Sequence, residues 1–392
     1  MNTDATLSAD ARRDLLQRGY SRRQFGRIGA LLGTGLALAS LPGRASQARG
    51  VVASAGDNAG KVLIDSNEWW TGPMDEGVRA GAAMVAQGNR YWPNHNRQDL
   101  IKAVAGIEGV PVDHIMPWPG SGDPLCRAIV TFCSPQRGLV TLDPTYEPSW
   151  ETAEWLKVPL AKVPLRAENN WKTDVRAMLA ANPNAGVYYI CSPNNPTGTL
   201  TPIADIEWLL AHKPAGSIVL VDEAYIHFSG TRSAASLVAA GKDVIVLRTF
   251  SKLFGMAGLR LGLSMGRPDL LEKMMRYDGF SQSFMLSTVA LATALASVTR
   301  AQEIVQRRNQ MIANREMTFA HLRQRGISYI PSVANMFIVD WKRPAKPVRE
   351  EFAKQGVIIG RNWSIWPNCS RITVGSESDM QSFCKALDVV IA

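Results

Sequence analysis

The sequence predicts an α/β fold in which a mostly parallel sheet carries a ligand site along one edge. Short apolar runs alternate with helical segments between residues 139 and 252. This pattern is typical of parallel strands joined by right-handed helical crossovers. Because ligands of such sheets bind outside the carboxyl ends of the strands, the polar clusters at those ends should share one site. These clusters are 143–146, 192–198, 222–225 and 251–252.

The predicted strands are short and rich in β-branched residues, as expected of buried parallel strands. They are residues 139–142, an edge-like strand 160–165, 187–191, 218–221 and 244–247. The predicted helices are 74–87, one that starts at 99, 125–132 after a Gly/Pro-rich loop at 117–124, and 203–211. Strands 336–340 and 356–359 are assigned to a second, smaller domain.

Lys252 lies just beyond the last strand of the series, five residues after Leu247. At such a position burial or cationic neighbours lower the pKa of the amine, which is the condition for a Schiff base with an aldehyde. Ser251 and Arg260 would then donate hydrogen bonds to a phosphate. The alternative is a buried lysine that only neutralises a carboxylate.

The other strand ends carry groups that suit a pyridine-type cofactor. Asp222 would hold the proton on the ring nitrogen, because an isolated buried carboxylate is costly without a partner. Tyr225 and Asn195 could donate to a phenolic oxygen, and Tyr146 could stack on the ring. Asn195 also suits its Pro-Asn-Asn-Pro turn for backbone reasons alone, and Tyr146 could be a core residue. The loop before helix 125–132 offers backbone N–H groups to a phosphate.

Three motifs, Ser192-Pro-Asn-Asn-Pro-Thr-Gly198, Asp222-Glu-Ala-Tyr225 and Ser251-Lys252 through Arg260, resemble those of class I/II aminotransferases. These are fold-type I enzymes that depend on pyridoxal 5′-phosphate. The resemblance covers roughly residues 60–390 and is nearest to the histidinol-phosphate aminotransferase branch. It implies a large domain with a mostly parallel sheet and a smaller α/β domain built from both chain ends.

The resemblance also assigns roles to individual residues. Lys252 would be the Schiff-base lysine and proton shuttle, and Arg371, in the run 369–375, would clamp the substrate's α-carboxylate. Tyr91 would reach the phosphate site of a partner subunit, which implies a homodimer with shared active sites. The resemblance implies the same roles as above for Asp222, Tyr225, Asn195 and Tyr146. It also implies that the cofactor phosphate is held by Gly122, Asp123, Thr249, Ser251 and Arg260.

The chain departs from the histidinol-phosphate branch where the substrate side chain is recognised. Trp69 and Trp70 stand where that branch has Pro-Tyr. Indole suits a planar, aromatic or cationic side chain. Arg361 matches an arginine that contacts substrate phosphate in the branch. We therefore expect Trp69, Trp70, Arg361, Arg371 and Asn195 to contact the substrate.

Residues 1–50 hold eight arginines and three aspartates, so the N-terminus carries more than half of the net charge of +9. Ser21-Arg-Arg-Gln-Phe-Gly26 resembles a twin-arginine export motif, and an uncharged apolar run follows at 28–41. Cleavage is expected after Ala48 or Ala55. The sequence thus predicts passage through the twin-arginine machinery to the periplasm or the exterior, without stable membrane insertion. The alternative is an amphipathic helix of a cytoplasmic protein.

We therefore expect a signal peptide and leader at 1–55, small-domain parts at 56–90 and 305–392, and a cofactor-binding domain at 91–304. Neither a nucleic-acid face nor metal-ligand spacing of the five cysteines is apparent.

The expected reaction moves an amino group between an amino acid and a 2-oxo acid. Alternatives are an oxygen-dependent oxidase, desaturase or hydroxylase of a cationic amino acid such as arginine, a lyase or decarboxylase, and a binding or regulatory protein.

Overall fold

The computed structural model describes residues 7–33, 60–277 and 285–391. Within these residues the largest element is a seven-stranded sheet. In spatial order its strands are β2 (Ile115–Trp118), β8 (Gly262–Met265), β7 (Val244–Thr249), β6 (Ile218–Asp222), β5 (Val187–Cys191), β3 (Leu139–Asp143) and β4 (Leu160–Pro164). The α/β class and the mostly parallel sheet are confirmed.

The strands from β7 to β4 pair in parallel, whereas β8 pairs antiparallel with both β7 and β2. The sequence did not predict β2 or β8. The expected loop at 117–124 is wrong in part, because Pro117 and Trp118 complete β2. Proline is tolerated there because β2 is an edge strand and needs fewer backbone donors.

Side chains on the two faces of the sheet belong to two separate apolar clusters. Along β6, for example, Val219 and Val221 lie in one cluster, while Ile218 and Leu220 lie in the other. Helices therefore pack against both faces. The helices of this part of the chain are α3 (Asp75–Val85), α4 (Asn96–Glu108), α5 (Gly122–Phe132), α6 (Pro148–Leu156), α7 (Val175–Ala181), α8 (Ile203–His212), α9 (Ile226–Ser229), α10 (Ala235–Ala239), α11 (Pro268–Met275) and α12 (Thr288–Val298).

The smaller α/β part is built from both ends of the region that the resemblance covers, as the resemblance implied. Strand β1 (Val62–Ile64) pairs in parallel with β11 (Val357–Ile359). A second sheet joins β12 (Cys369–Thr373), β10 (Met336–Asp340) and β9 (Ser328–Ile330) in antiparallel register. The helices of this part are α13 (Ala301–Gln324), α14 (Ala345–Lys354) and α15 (Glu377–Val390).

The N-terminal segment (residues 7–33) forms α1 (Ala9–Gln17) and α2 (Arg22–Gly33). Its apolar side chains join the cluster that also contains α5, α6 and α11. The apolar run expected at 28–41 lies only partly within the described residues, and both expected cleavage positions lie outside them. Over residues 7–33, 60–277 and 285–391, no helix has the length and apolar character needed to cross a membrane.

Candidate active site

The carboxyl ends of β5, β6 and β7 open into a cavity of about 630 Å³, a size typical of small-molecule sites. The structure brings together in its wall most of the residues predicted from sequence. These are Gly122, Asp123, Tyr146, Asn195, Asp222, Tyr225, Thr249, Ser251, Lys252, Arg260, Arg361 and Arg371.

Lys252 lies just beyond β7, with its Nζ 5.6 Å from the centre of the Tyr225 ring and 3.5 Å from the carbonyl oxygen of Ser66. Burial, together with the positive charge of Arg371, lowers the pKa of the amine to about 8. A much larger fraction of neutral amine is therefore present near neutral pH than in an ordinary lysine. Lys252 is thus placed and tuned as a nucleophile.

Asp222 ends β6 and is only 2% exposed. Its carboxylate accepts hydrogen bonds from the hydroxyl of Tyr189 at 3.0 Å and from the backbone N–H of Ala224 at 3.1 Å. Burial nevertheless raises its pKa to about 6. A buried carboxylate that lacks a cationic hydrogen-bond partner among the described residues suits a protonated ring nitrogen.

Arg371 reaches the cavity from β12 of the smaller sheet. Its Nη1 donates to Asn195 Oδ1 at 2.9 Å, and its Nη2 donates to the carbonyl oxygen of Asp65. Its Nε is buried and has no hydrogen-bond partner among the described residues. A buried donor without a partner is costly, so this guanidinium is poised for an anionic ligand. Nearby, Asn67 Nδ2 donates to the Tyr225 hydroxyl oxygen at 3.1 Å, which leaves that hydroxyl's own proton available to a ligand.

A phosphate cradle lies between the start of α5 and the loop after β7. The first backbone N–H groups of α5 have no helical partner, and Arg260 Nη1 lies 3.5 Å from Ser251 Oγ. Thr249 Oγ1 donates to the same hydroxyl at 2.9 Å. Gly120 is required here, because it has φ +91° and an added Cβ would lie 2.6 Å from Arg260 Nη2. Helix N–H groups, hydroxyls and a guanidinium form a typical phosphate site.

Three predicted residues do not line the cavity of their own chain. Tyr91 is 71% exposed. Trp69 is buried, stacks on Trp70 with ring centres 3.7 Å apart, and lies under the Arg307 guanidinium at 5.3 Å. Neither indole belongs to the described residues that form the cavity wall. Their contact with a substrate stays a prediction. Arg361 does line the cavity, where it pairs with Glu147.

Sequence reasoning missed several residues of the site. Tyr189 lies inside β5, where the continuous apolar run indicates only a core residue. Asn67 and Ser121 have the sequence character of turn and helix-cap residues. The positive φ of 53° at Asn67 became visible only in the structure. Leu31 comes from a segment that the sequence assigned to a leader. For Ser121 the only local signal was the loop at 117–124, which pointed to backbone N–H groups, and no local pattern pointed to the other side chains.

A tuned lysine, a buried carboxylate and a phosphate cradle meet here at the carboxyl edge of a mostly parallel sheet. That combination defines the fold-type I class of pyridoxal-phosphate enzymes. Residues 59–387 match the family model "Aminotransferase class I and II". The chain belongs to this family and is an aminotransferase.

Known proteins agree with this assignment. A histidinol-phosphate aminotransferase of Symbiobacterium thermophilum is 30% identical over 84% of this chain and 90% of its own length. An aromatic amino acid aminotransferase of Cutibacterium acnes is 28% identical over 86% of this chain and 94% of its own. The crystal structure of a histidinol-phosphate aminotransferase from Sinorhizobium meliloti, at 22% identity, shares the fold with a TM-score of 0.76 and covers 88% of this chain and 96% of its own.

The cofactor of this family is pyridoxal 5′-phosphate, and the residues present fit it. The cradle at α5 and Arg260 suits its phosphate, Asp222 its ring nitrogen, and Lys252 its aldehyde. Asn195 and Tyr225 present polar groups to the same cavity. When bound, the cofactor supplies an electron sink for the carbon that carries the amino group.

Proposed function

We propose that the enzyme transfers the amino group of an amino acid to a 2-oxo acid. Lys252 would hold the cofactor through its amine, with the aldehyde oxygen leaving as water, and would move the proton at the donor's α-carbon. The observation that carries this proposal is the position of Lys252, whose lowered pKa and location beside Tyr225 and Asp222 suit both tasks. Asp222 would keep the ring nitrogen protonated, and Tyr146, which lines the same cavity, would pack on the ring.

Arg371 binds the donor's α-carboxylate in this proposal. Its buried Nε, which has no hydrogen-bond partner among the described residues, supports the role, as does its place in the cavity wall. The relatives carry names with different substrates. One is a histidinol-phosphate aminotransferase and another is an aromatic amino acid aminotransferase. The donor is therefore defined here by its amino and anionic groups. Its side chain is identified by measuring activity with histidinol phosphate, aromatic amino acids, arginine and glutamate.

Replacing Arg371 with alanine is expected to raise KM for the donor and to lower kcat/KM by roughly 30-fold to several thousand-fold. The reason is that the ligand anion loses a desolvated, charge-assisted partner, worth about 2–5 kcal/mol. Steady-state kinetics at varied donor concentration measure the change. Attachment of the cofactor, followed by visible absorbance, should remain.

A matched control is Arg343→Ala, since Arg343 is an exposed arginine of the same part of the fold and pairs with Glu351. It should leave KM unchanged, because an exposed pair contributes little. Equal kinetics for the wild type and the Arg371 variant would contradict the assigned role.

The rate of cofactor capture should depend on pH with a midpoint near 8. Only the neutral amine attacks an aldehyde, and the lowered pKa of Lys252 means that the amine loses its proton through about 8 rather than 10.5. The rate should therefore rise from pH 6 to 9 and then level off. Stopped-flow absorbance of cofactor-free enzyme mixed with pyridoxal phosphate measures it. In Arg371→Ala, which removes a repelling positive charge, the midpoint should move upward. A wild-type midpoint above 10 would contradict this account.

We also propose a homodimer in which Tyr91 completes the phosphate site of the partner subunit. The large exposed fractions of Tyr91 (71%) and Trp92 (72%) support a contact outside the single chain. Sedimentation of the active enzyme and the cofactor affinity of Tyr91→Phe test this. A monomer with full activity would contradict it.

Export through the twin-arginine route to the periplasm or the exterior is the proposed location. It is supported by the motif around Arg22 and Arg23, both of which are exposed at the start of α2. Replacing both with lysine should retain a tagged chain in the cytoplasm, as measured by cell fractionation. Cytoplasmic location of the unmodified chain would contradict this proposal.

A further inference from the structure

In the full-length, uncleaved chain, the N-terminal segment packs on the aminotransferase fold as an added layer. Leu15 and Ile28 are fully buried and Tyr20 is 2% exposed. All three belong to the apolar cluster that includes Leu125 of α5 and Leu156 of α6. The burial of these apolar side chains stabilises the packing of the segment on the large domain.

Polar contacts fix the same position. The Tyr20 hydroxyl donates to the carbonyl oxygen of Cys133 at 2.8 Å, and Arg18 Nη2 donates to that of Val130 at 2.7 Å. Gln24 Nε2 donates to the carbonyl oxygen of Leu156 at 2.8 Å. These acceptors lie in or just after α5 and α6, so the hydrogen bonds define one register of the segment on the large domain.

Leu31, near the end of α2, is part of the wall of the active-site cavity. The family match begins only at residue 59. This wall residue is therefore supplied by a part of the chain that lies outside the family match. Its neighbour Leu32 is equally buried, at 7% exposure, but is not among the residues that line the cavity.

We propose that the docked N-terminal segment covers one side of the active-site cavity, and that Leu31 limits the size of the donor side chain that the full-length enzyme accepts. The proposal rests on the proposed function, because it concerns the donor of the same reaction. In the same docked state the exposed Arg22 and Arg23 remain accessible, while Phe25, Ile28 and Leu31 are held against the enzyme. Removal of the segment would therefore widen the cavity.

The kinetic test uses full-length holoenzyme and the donors tryptophan, phenylalanine, histidinol phosphate, arginine and alanine. The measured quantity is the ratio of kcat/KM for the bulkiest accepted donor to that for the smallest. Leu31→Ala should raise this ratio about tenfold, the order expected when a few carbon atoms are removed from a pocket wall, and Leu31→Phe should lower it. Leu32→Ala is the matched control and should leave it unchanged. An unchanged ratio in Leu31→Ala, or an equal change in Leu32→Ala, would overturn the proposal.

A second measurement does not depend on activity. Hydrogen exchange followed by mass spectrometry should show slow exchange of the α2 amides in the full-length holoenzyme. Ile28→Asp, which places a charge in the buried face, should abolish that protection, whereas Ala30→Asp on the exposed face of the same helix should preserve it. Fast exchange throughout residues 7–33 of the wild type would overturn the docking. If no donor reacts while the amides are protected, the proposed function fails and the docking stands.

Discussion

Replacing Lys252 with alanine is expected to abolish transamination, with a fall in kcat on the order of 10⁴-fold or more. The variant loses both the amine that attaches the cofactor and the base that moves the proton at the donor's α-carbon, and groups that act as a unit cost most when removed. Its visible absorbance with pyridoxal phosphate should also lose the band that depends on the covalent bond. Kinetics and an absorption spectrum measure the two effects.

The matched control for this variant is Lys242→Ala. Lys242 is exposed and lies two residues before β7, at the end of the strand opposite to Lys252. The control therefore removes the same charge at a position away from the cavity. Activity and spectrum should both be unchanged. Appreciable transamination by the Lys252 variant would refute the assignment of this residue.

Replacing Asp222 with asparagine is expected to lower kcat on the order of 10²–10³-fold without loss of the fold. Asparagine has nearly the same shape and can still accept from the backbone N–H of Ala224, but it has no charge with which to hold a proton on a ring nitrogen. Removal of one preorganised electrostatic partner typically has an effect of this size. Steady-state kinetics and thermal unfolding would measure activity and stability.

Tyr189→Phe provides a graded comparison. It removes one hydrogen bond to Asp222 and keeps the carboxylate, so kcat should fall only several-fold, in line with about 1 kcal/mol for one hydrogen bond. A larger loss in Tyr189→Phe than in Asp222→Asn would mean that the carboxylate does not carry the effect.

Much of the fold could be predicted from sequence because its buried parallel strands are continuous apolar runs. Strand β5 and strand β10 have the predicted limits, and β3, β6 and β7 are each longer by one or two residues. The antiparallel β8 and the edge strand β2 could not be predicted. Their sequences are short and lie beside glycine and proline, and pairing with neighbours in space decides their conformation.

The site shows the same division. Residues at the ends of parallel strands, such as Asp222 and Lys252, were predictable because topology places all such ends on one edge. Site residues whose position depends on how distant segments of the chain pack could not be predicted. Asn67 reaches Tyr225 across 158 positions of sequence, and Leu31 belongs to a segment that reads as a leader. The burial that shifts the pKa values of Asp222 and Lys252 likewise depends on the folded chain.

The most direct test of the central claim is the visible spectrum of the purified holoenzyme while donors are added in the absence of oxygen. The donor panel is arginine, histidinol phosphate, aromatic amino acids and glutamate, followed by a 2-oxo acid. We predict that one donor removes the visible band without oxygen and that the 2-oxo acid restores it, because the amino group moves to the enzyme and then to the acceptor. A band that donors change irreversibly and only in air, with release of ammonia, would contradict transamination and establish an oxygen-dependent oxidation instead.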